Sequence, residues 1–501
     1  MSELPLLSLV IFLPLVGCLF ILFISGDDKF EQHKANLVAL LISGATFFIS
    51  LVLWIQFDAD YEGFQFIEKY DWIPSYKFYY HIGIDGISLS LVLLTTFLTP
   101  LIFLFISQER VPRYRQFLIL FLMLETFVIG AFCANDILLF YLFFEGSLIP
   151  LFLIIGIWGG ERRFYAAYKF FLYTFFGSIF MFMAFVVIYN QVGSGDFDLI
   201  LKSQFMDTTQ KWLWLAFFIS FAIKLPLWPF HTWLPDAHVE APTSGSVVLA
   251  GVLLKLAGYG FLRFSLPLFP DACLYFQPLV MSLSLIGLVY TSCVAFAQTN
   301  LKKRIAYSSI AHMGFVTLGI FSFSSTGIKG AIFQMISHGL LSAGLFWTVG
   351  LLTKRTQTKD MDSFGGIVQV MPKFAVVFMI LTLGAISLPL TSGFVGEIMI
   401  LLSLFPINGP YLFIAVSCVL LSACYMLQMY KQVVFGPLEK EALRELKDLT
   451  LQEKGVLYPL AGLVLLGGIY PKPIFDLVSQ PVKKIETQYI KAAYSKDVKS
   501  V

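Results

Sequence analysis

Charge is scarce in this chain. Asp, Glu, Lys and Arg make up 13% of 501 residues, while 58% are hydrophobic. Soluble domains carry roughly 25% charged residues, so an ordinary soluble fold is excluded and a polytopic membrane protein is indicated. The net charge is only +2, and no basic patch interleaved with aromatics exists, which excludes nucleic acid as a partner. Cysteine is sparse too. Six scattered residues (Cys18, Cys133, Cys273, Cys293, Cys418 and Cys424) form no CxxC pair, so neither a disulfide framework nor a cysteine-ligated iron–sulfur cluster is expected. They read as small apolar packing residues. No glycine-rich phosphate cradle appears: Gly193-Ser194-Gly195 is a loop with no strand before it. Met1–Pro5 lacks the basic start of a cleavable signal. No extramembrane stretch is long enough for a sizeable soluble domain. What is abundant is phenylalanine, at 53 residues, which suits lipid-facing helices and an AT-rich, organelle-type genome.

A bilayer core of about 30 Å needs about 20 apolar residues per helix. On that length fourteen spans are expected, near 4–25, 35–56, 85–107, 115–134, 136–156, 165–190, 211–236, 242–264, 276–298, 303–322, 328–352, 373–404, 411–434 and 455–475. Loops on one side carry Lys29, Lys34, Arg110, Arg113, Arg115, Arg162, Arg163, Lys302, Lys303, Arg304, Lys354, Arg355, Lys359 and Lys373, with more basic residues from Lys431 to Lys454. The opposite loops are poorer in Lys and Arg. The positive-inside rule puts the first set on the cytoplasmic or matrix side and both termini on the other. The lysine-rich tail from Ser479 is expected to be a polar extension that ends soon after the last span.

Two spans should be broken. In the seventh, AIKLPLWPF (222–230) places Pro226 and Pro229 in an apolar helix, and proline removes a backbone donor and clashes with the preceding turn. In the twelfth, AISLPL (385–390) repeats the AIKLPL pattern, five helices later. An odd interval means that the second copy enters from the opposite side. Spans 4–8 and 9–13 are therefore expected to form two inverted five-helix units, with broken helices near the midplane. The corresponding divisions are 1–110, an N-terminal three-helix segment; 111–265, the first unit; 266–434, the second; and 435–501, a polar loop, the last span and the tail.

Ionisable groups inside spans are costly and mark ion pathways. With a rise of about 1.5 Å per residue, Glu145 lies about 13 Å into span 5, Glu125 about 15 Å into span 4, Lys224 about 19 Å into span 7 and Lys255 about 19 Å into span 8. His312 lies about 13 Å into span 10 and His338 about 15 Å into span 11. Glu397 follows the break in span 12. These groups share the middle of the bilayer, which predicts a lateral proton relay. Lys224 with Glu145 would load and release a proton, Lys255 with Tyr259 would accept it, His312 and His338 would pass it on near neutral pH, and Glu397 would receive it last. Ser308, Ser309, Ser337 and Ser342 would bridge gaps. Glu125 reads equally as a packing residue. His231 is a secondary pathway candidate; His231 and His238 with Asp236 and Glu240 match no standard metal spacing, so no metal is expected. Asp136 reads as a helix cap, and Lys169 as facing headgroups.

FYLFFEGSLIPLFLIIGIWGG (140–160), FAIKLPLWPFHTWLPDAHVEAPTSGSVVLAGVLLKLAGYGFLR (221–263), LKKRIAYSSIAHMGF (301–315) and LPLTSGFVGE (388–397) resemble the antiporter-like membrane subunits of respiratory complex I, along essentially the whole chain. The resemblance implies an all-α fold of about fourteen helices with two inverted five-helix repeats. It also implies proton pumping driven by NADH oxidation and quinone reduction in other subunits. Glu145 and Lys224 match the family's glutamate and lysine on the fifth and broken seventh helices, Lys255 the lysine of the eighth, and Glu397 a carboxylate on the twelfth. No NAD, FMN or Fe–S pattern is present, so NADH, FMN, the clusters and ubiquinone are expected in partner subunits. Expected partners are the other membrane-arm subunits, especially neighbouring antiporter-like ones, and lipids. The expected location is the inner mitochondrial membrane, with a bacterial plasma membrane as the alternative. The alternative function is a subunit of a multisubunit sodium/proton antiporter, which shares much of the same core.

Overall fold

The computed structural model describes residues 4–24, 26, 29–109 and 111–499, with side chains to residue 491. Arg110, one of the charges used for orientation, lies outside the described residues, as do the terminal residues 1–3, 500 and 501. Each expected apolar segment falls on helical structure. In chain order the helices are α1 (Leu6–Phe23), α2 (Lys29–Gln56), α3 (Gly86–Ile106) and α4 (Tyr114–Cys133). Then come α5 (Ile137–Trp158), α6 (Arg163–Val192), α7 (Asp207–Lys224), α8 (Trp233–Glu240) and α9 (Thr243–Leu268). They are followed by α10 (Pro270–Ala297), α11 (Leu301–Ile320), α12 (Ser325–Thr356), α13 (Pro372–Ala385) and α14 (Ser392–Leu404). The last are α15 (Gly409–Val434), α16 (Leu451–Ile469) and α17 (Lys472–Lys499).

Among the described residues, ten helices are long and apolar enough to cross a membrane by themselves. Spans 7, 10, 12 and 14 are the ones outside that set, because they are broken, bent or rich in charge at one end, so length and hydropathy do not return the count of fourteen. Both expected breaks are present. α7 stops at Lys224 and α8 restarts at Trp233; α13 stops at Ala385 and α14 restarts at Ser392. The second break places Ser387 (φ 57°) and Leu390 (φ 73°) in left-handed backbone, which costs a side-chain-bearing residue energy and persists only where surroundings enforce it.

Two elements differ from expectation. The hydrophilic stretch 57–84 holds an antiparallel hairpin, β1 (Gln65–Ile73) and β2 (Phe78–Ile84), with Lys69 opposite His81 and Tyr70 opposite Tyr80. Its dense Tyr, Ile, Phe and Trp content suits a pleated, half-buried surface. The tail is not simply a polar extension. α17 turns 66° from α16 and packs back on α3, α10 and α12. The reason is an amphipathic stripe of Leu477, Val478, Val482, Ile485 and Tyr489, all buried, at the spacing of one helical face.

The centre of the bundle is α9, buried along nearly all its length, packed on α12, which is likewise buried. α12 also packs on α11 and α14, and α6 on α7. α1, α2, α6 and α15 present long exposed apolar faces, including Leu41, Phe48, Phe176 and Phe413. The midplane charges of α9, α11, α12 and α14 therefore meet inside protein, away from lipid.

Candidate functional site: a buried lysine–histidine–glutamate row

α9 contains two π-helical turns, Leu249–Leu253 and Phe261–Ser265, a local form that recurs at functional sites. Lys255 follows the first. It is fully buried, and its Nζ donates to the carbonyl of Ala250 inside the π turn and stands 2.8 Å from Nδ1 of His338 on α12. The His338 ring centroid is 5.7 Å from that of His312 on α11. His312 Nδ1 in turn lies 2.8 Å from Oε1 of Glu397 on α14, and Gln334 Nε2 donates to the same oxygen at 3.1 Å. Four buried titratable groups from four helices thus form one row: Lys255, His338, His312, Glu397. Nε2 of each histidine has no hydrogen-bond partner. Both rings line a cavity of about 10 Å³ with Ser308, Ser309 and Ser342, space for about one water. Ser337 bonds elsewhere, to Ser392 Oγ at 2.7 Å.

Lys224, the last residue of α7, is buried at the break. Its Nζ donates to the Phe144 carbonyl at 3.0 Å and to Ser147 Oγ at 3.4 Å, and sits 3.4 Å from the Phe144 ring centroid. Glu145 is adjacent on α5, and its charge and that of Lys224 interact. Among the described residues no contact ion pair joins them: Lys224 Nζ has its hydrogen bonds with Phe144 and Ser147, and Oε1 of Glu145 has no partner. The expected pair is therefore present as neighbours held apart: the lysine donates to backbone and hydroxyl, and one carboxylate oxygen is left without a partner.

Other expected residues fall outside the row. Both carboxylate oxygens of Glu125 are buried without a partner. The cavity of about 10 Å³ beside it is lined by Thr95, Thr99 and apolar side chains, with no member of the row among them. His231 lies in the α7–α8 turn, edge-on to Tyr290 with ring centroids 5.6 Å apart. Tyr259 gives its hydroxyl to the Phe132 carbonyl at 2.9 Å and accepts from Arg263 at 3.1 Å, so no hydrogen bond joins it to Lys255. The Lys169 side chain, expected to face headgroups, is 20% exposed. It pairs with Asp236 at 2.7 Å, because α8 folds back against α6. Asp136 caps α5 as expected, accepting from the amides of Leu138 and Leu139 at 2.9 and 3.2 Å.

Two features were missed. Gln334 lies four residues before His338, so helical spacing puts both on one face, and that was its available signal. The second is a polar cluster at the hairpin end of α9. Arg263 pairs with Asp85 at 2.7 Å, and Asp85 also caps α3 through the Ser88 amide at 2.9 Å. Nearby, Lys69 and His81 of the hairpin converge on Asp196. That carboxyl is desolvated by burial, yet His81 and Lys69 outweigh this and hold it well below the usual carboxylate range. His81, Asp196 and Asp198 are the group with ligand atoms close enough for a metal among the described residues, but Lys69 already occupies the Asp196 carboxylate.

A family model described as NADH:quinone oxidoreductase/Mrp antiporter, TM, matches residues 134–422. NADH-quinone oxidoreductase subunit M of Rhodobacter capsulatus is 47% identical over 498 residues, covering 97% of each chain. NADH-ubiquinone oxidoreductase chain 4 of Marchantia polymorpha is 45% identical over 481 residues, covering 96% of each. Among solved structures, a chain of respiratory complex I from Thermus thermophilus superposes with a TM-score of 0.87 at 29% identity, covering 96% of this chain and 99% of that one.

Proposed function

The chain belongs to the membrane-subunit family of NADH:quinone oxidoreductases and Mrp antiporters, and from that premise we propose how its buried charges move protons. Its relatives at 45–47% identity are subunit M and chain 4 of NADH-quinone oxidoreductase, and it is a proton-translocating subunit of that enzyme's membrane arm. It is part of an oxidoreductase whose redox chemistry resides in other subunits, and its partners are the other membrane-arm proteins. We assign it to the inner mitochondrial membrane, with both termini on the intermembrane side and two inverted five-helix units at 111–265 and 266–434.

The observation that carries the mechanism is the continuous row from Lys255 to Glu397. With Lys255 donating to Nδ1, His338 carries its proton on Nε2. With His312 donating from Nδ1 to Glu397, its Nε2 is a lone pair. The two free nitrogens are then a matched donor and acceptor beside a cavity fit for one bridging water. As Lys255 gives a proton to His338 Nδ1, the Nε2 proton of His338 passes through the water to His312 Nε2 and the Nδ1 proton of His312 moves to Glu397, so charge crosses α11 without any group travelling far. Lys224 and Glu145 serve as the loading pair. When the Glu145 carboxylate turns toward the ammonium, the pair is stabilised as ions; when it turns away, desolvation favours release of the lysine proton.

The test is Lys224→Met and Glu145→Ala in assembled complex, with proton pumping normalised to NADH–artificial-acceptor activity. Normal coupling in both variants overturns the relay. Sodium-dependent flux without a redox partner would support the antiporter reading instead, and the identity of co-purifying subunits by mass spectrometry separates the two.

A further inference from the structure

A helix leaves its last carbonyls without internal partners, and they carry the negative end of its dipole. At α8 every one of these finds a partner outside the helix. The His238 carbonyl accepts from Ser246 Oγ at 3.1 Å and that of Glu240 from the Gly160 amide at 2.9 Å. The other two take ammonium groups from the second unit: Val239 from Lys359 Nζ and Ala241 from Lys302 Nζ, both at 2.8 Å. Lys302 is buried, and it lies in the first turn of its own helix, α11, where a cation opposes the dipole. That unfavourable position is compensated by the C-terminus of α8.

The two lysines are also fixed to each other. The Leu301 amide donates to the Lys359 carbonyl and the Met361 amide to the Thr299 carbonyl, both at 2.9 Å. The start of α11 and the α12–α13 loop are therefore one hydrogen-bonded body gripping the end of α8. α8 is the continuation of the broken span that presents Lys224, and α11 carries His312 ten residues after Lys302, about 15 Å along the same helix.

We propose that Lys302 and Lys359 are positioning residues: their ammonium groups clamp the C-terminus of α8 to α11, so that the break at Lys224 and the histidine row at His312 move as a coupled unit. The clamp rests on the relay reading and adds to it a mechanical link between the loading pair and the row.

The test uses the whole complex in proteoliposomes, with Lys302→Met, Lys302→Arg and Lys359→Met compared with Lys224→Met. Lys302→Met is expected to lower pumping per NADH–artificial-acceptor activity by about three- to tenfold. It should also speed hydrogen–deuterium exchange across residues 233–246 several-fold, while Lys302→Arg restores both because it keeps a charged donor. Normal pumping and exchange in assembled Lys302→Met overturn the clamp, and so does an assembled Lys302→Arg no better than Lys302→Met. If Lys302→Met prevents assembly, Lys359→Met decides: exchange unchanged across 233–246 overturns the proposal, and faster exchange with reduced pumping supports it. Loss of pumping in Lys224→Met with none in the clamp variants sinks the clamp alone; normal pumping in Lys224→Met sinks the relay beneath it.

Discussion

Nζ of Lys255 stands 2.8 Å from Nδ1 of His338, two residues 83 positions apart in the chain. The contact exists because the π turn at Leu249–Leu253 lies in α9 where that helix packs on α12. It joins α9 to α12 in a single hydrogen bond.

Replacing Lys255 by Met removes that donor with little change in volume. The complex should assemble, since Lys255 bonds a carbonyl and an imidazole and its loss strands no buried counter-charge. Pumping and quinone-linked turnover should fall by roughly 100-fold, the lower end of what a positioned proton-transfer group contributes. Proton uptake by proteoliposomes, normalised to NADH–artificial-acceptor activity, measures it.

His312 and Glu397 should act as one unit. Glu397→Gln keeps the shape and removes the charge, and His312→Ala removes the partner. Each alone should impair pumping, and the double variant should be hardly worse than either. In a double-mutant cycle of pumping rates, additive losses would show that the two groups work independently.

Glu109 lies just after α3, outside the spanning segments. Burial pushes its carboxyl up to about 7, with Lys354 and Lys302 opposing the shift. A carboxyl raised in the folded state binds its proton more tightly than the unfolded chain does. Stability is therefore full below the unfolded value of about 4.3 and declines as pH rises toward about 7. Glu109→Gln, which mimics the protonated form, should gain on the parent as pH rises, by about 2–3 kcal/mol more at pH 8 than at pH 5. Thermal melting of the purified complex at the two pH values checks this; an equal offset at both would refute it.

Asp85 both pairs with Arg263 and caps α3. Asp85→Ala leaves a buried guanidinium unpaired, a change that costs about 3–5 kcal/mol where nothing compensates, plus about 1 kcal/mol for the lost cap. Assembled complex on native gels should drop sharply. Adding Arg263→Met should recover part of it, because the stranded charge is gone; no recovery would mean that the cap, not the pair, dominates.

Much of this protein was determined locally. Pro226 and Pro229 fixed a break beside Lys224, and the echo at Ala385–Leu390 placed its counterpart, because proline acts on its own turn of helix. Asp136 was legible as a cap for the same reason. The common depth of Glu145, Lys224, Lys255, His312 and His338 followed from counting residues at a constant rise. What depth does not give is rotation about each helix axis and the pairing of helices across the bundle, and these rest on long-range packing. Tertiary structure alone decided that Lys255 meets His338, that Glu125 and Tyr259 lie outside the row, and that Lys169 pairs with Asp236. It also folded the hydrophilic stretch 57–84 into a hairpin and turned a lysine-rich tail into α17. Lys302 shows the division most clearly. In the sequence it is one of three basic residues marking the side of a loop; in the fold its buried ammonium caps a helix that begins at Trp233, because the end of α8 had carbonyls with no partner of their own.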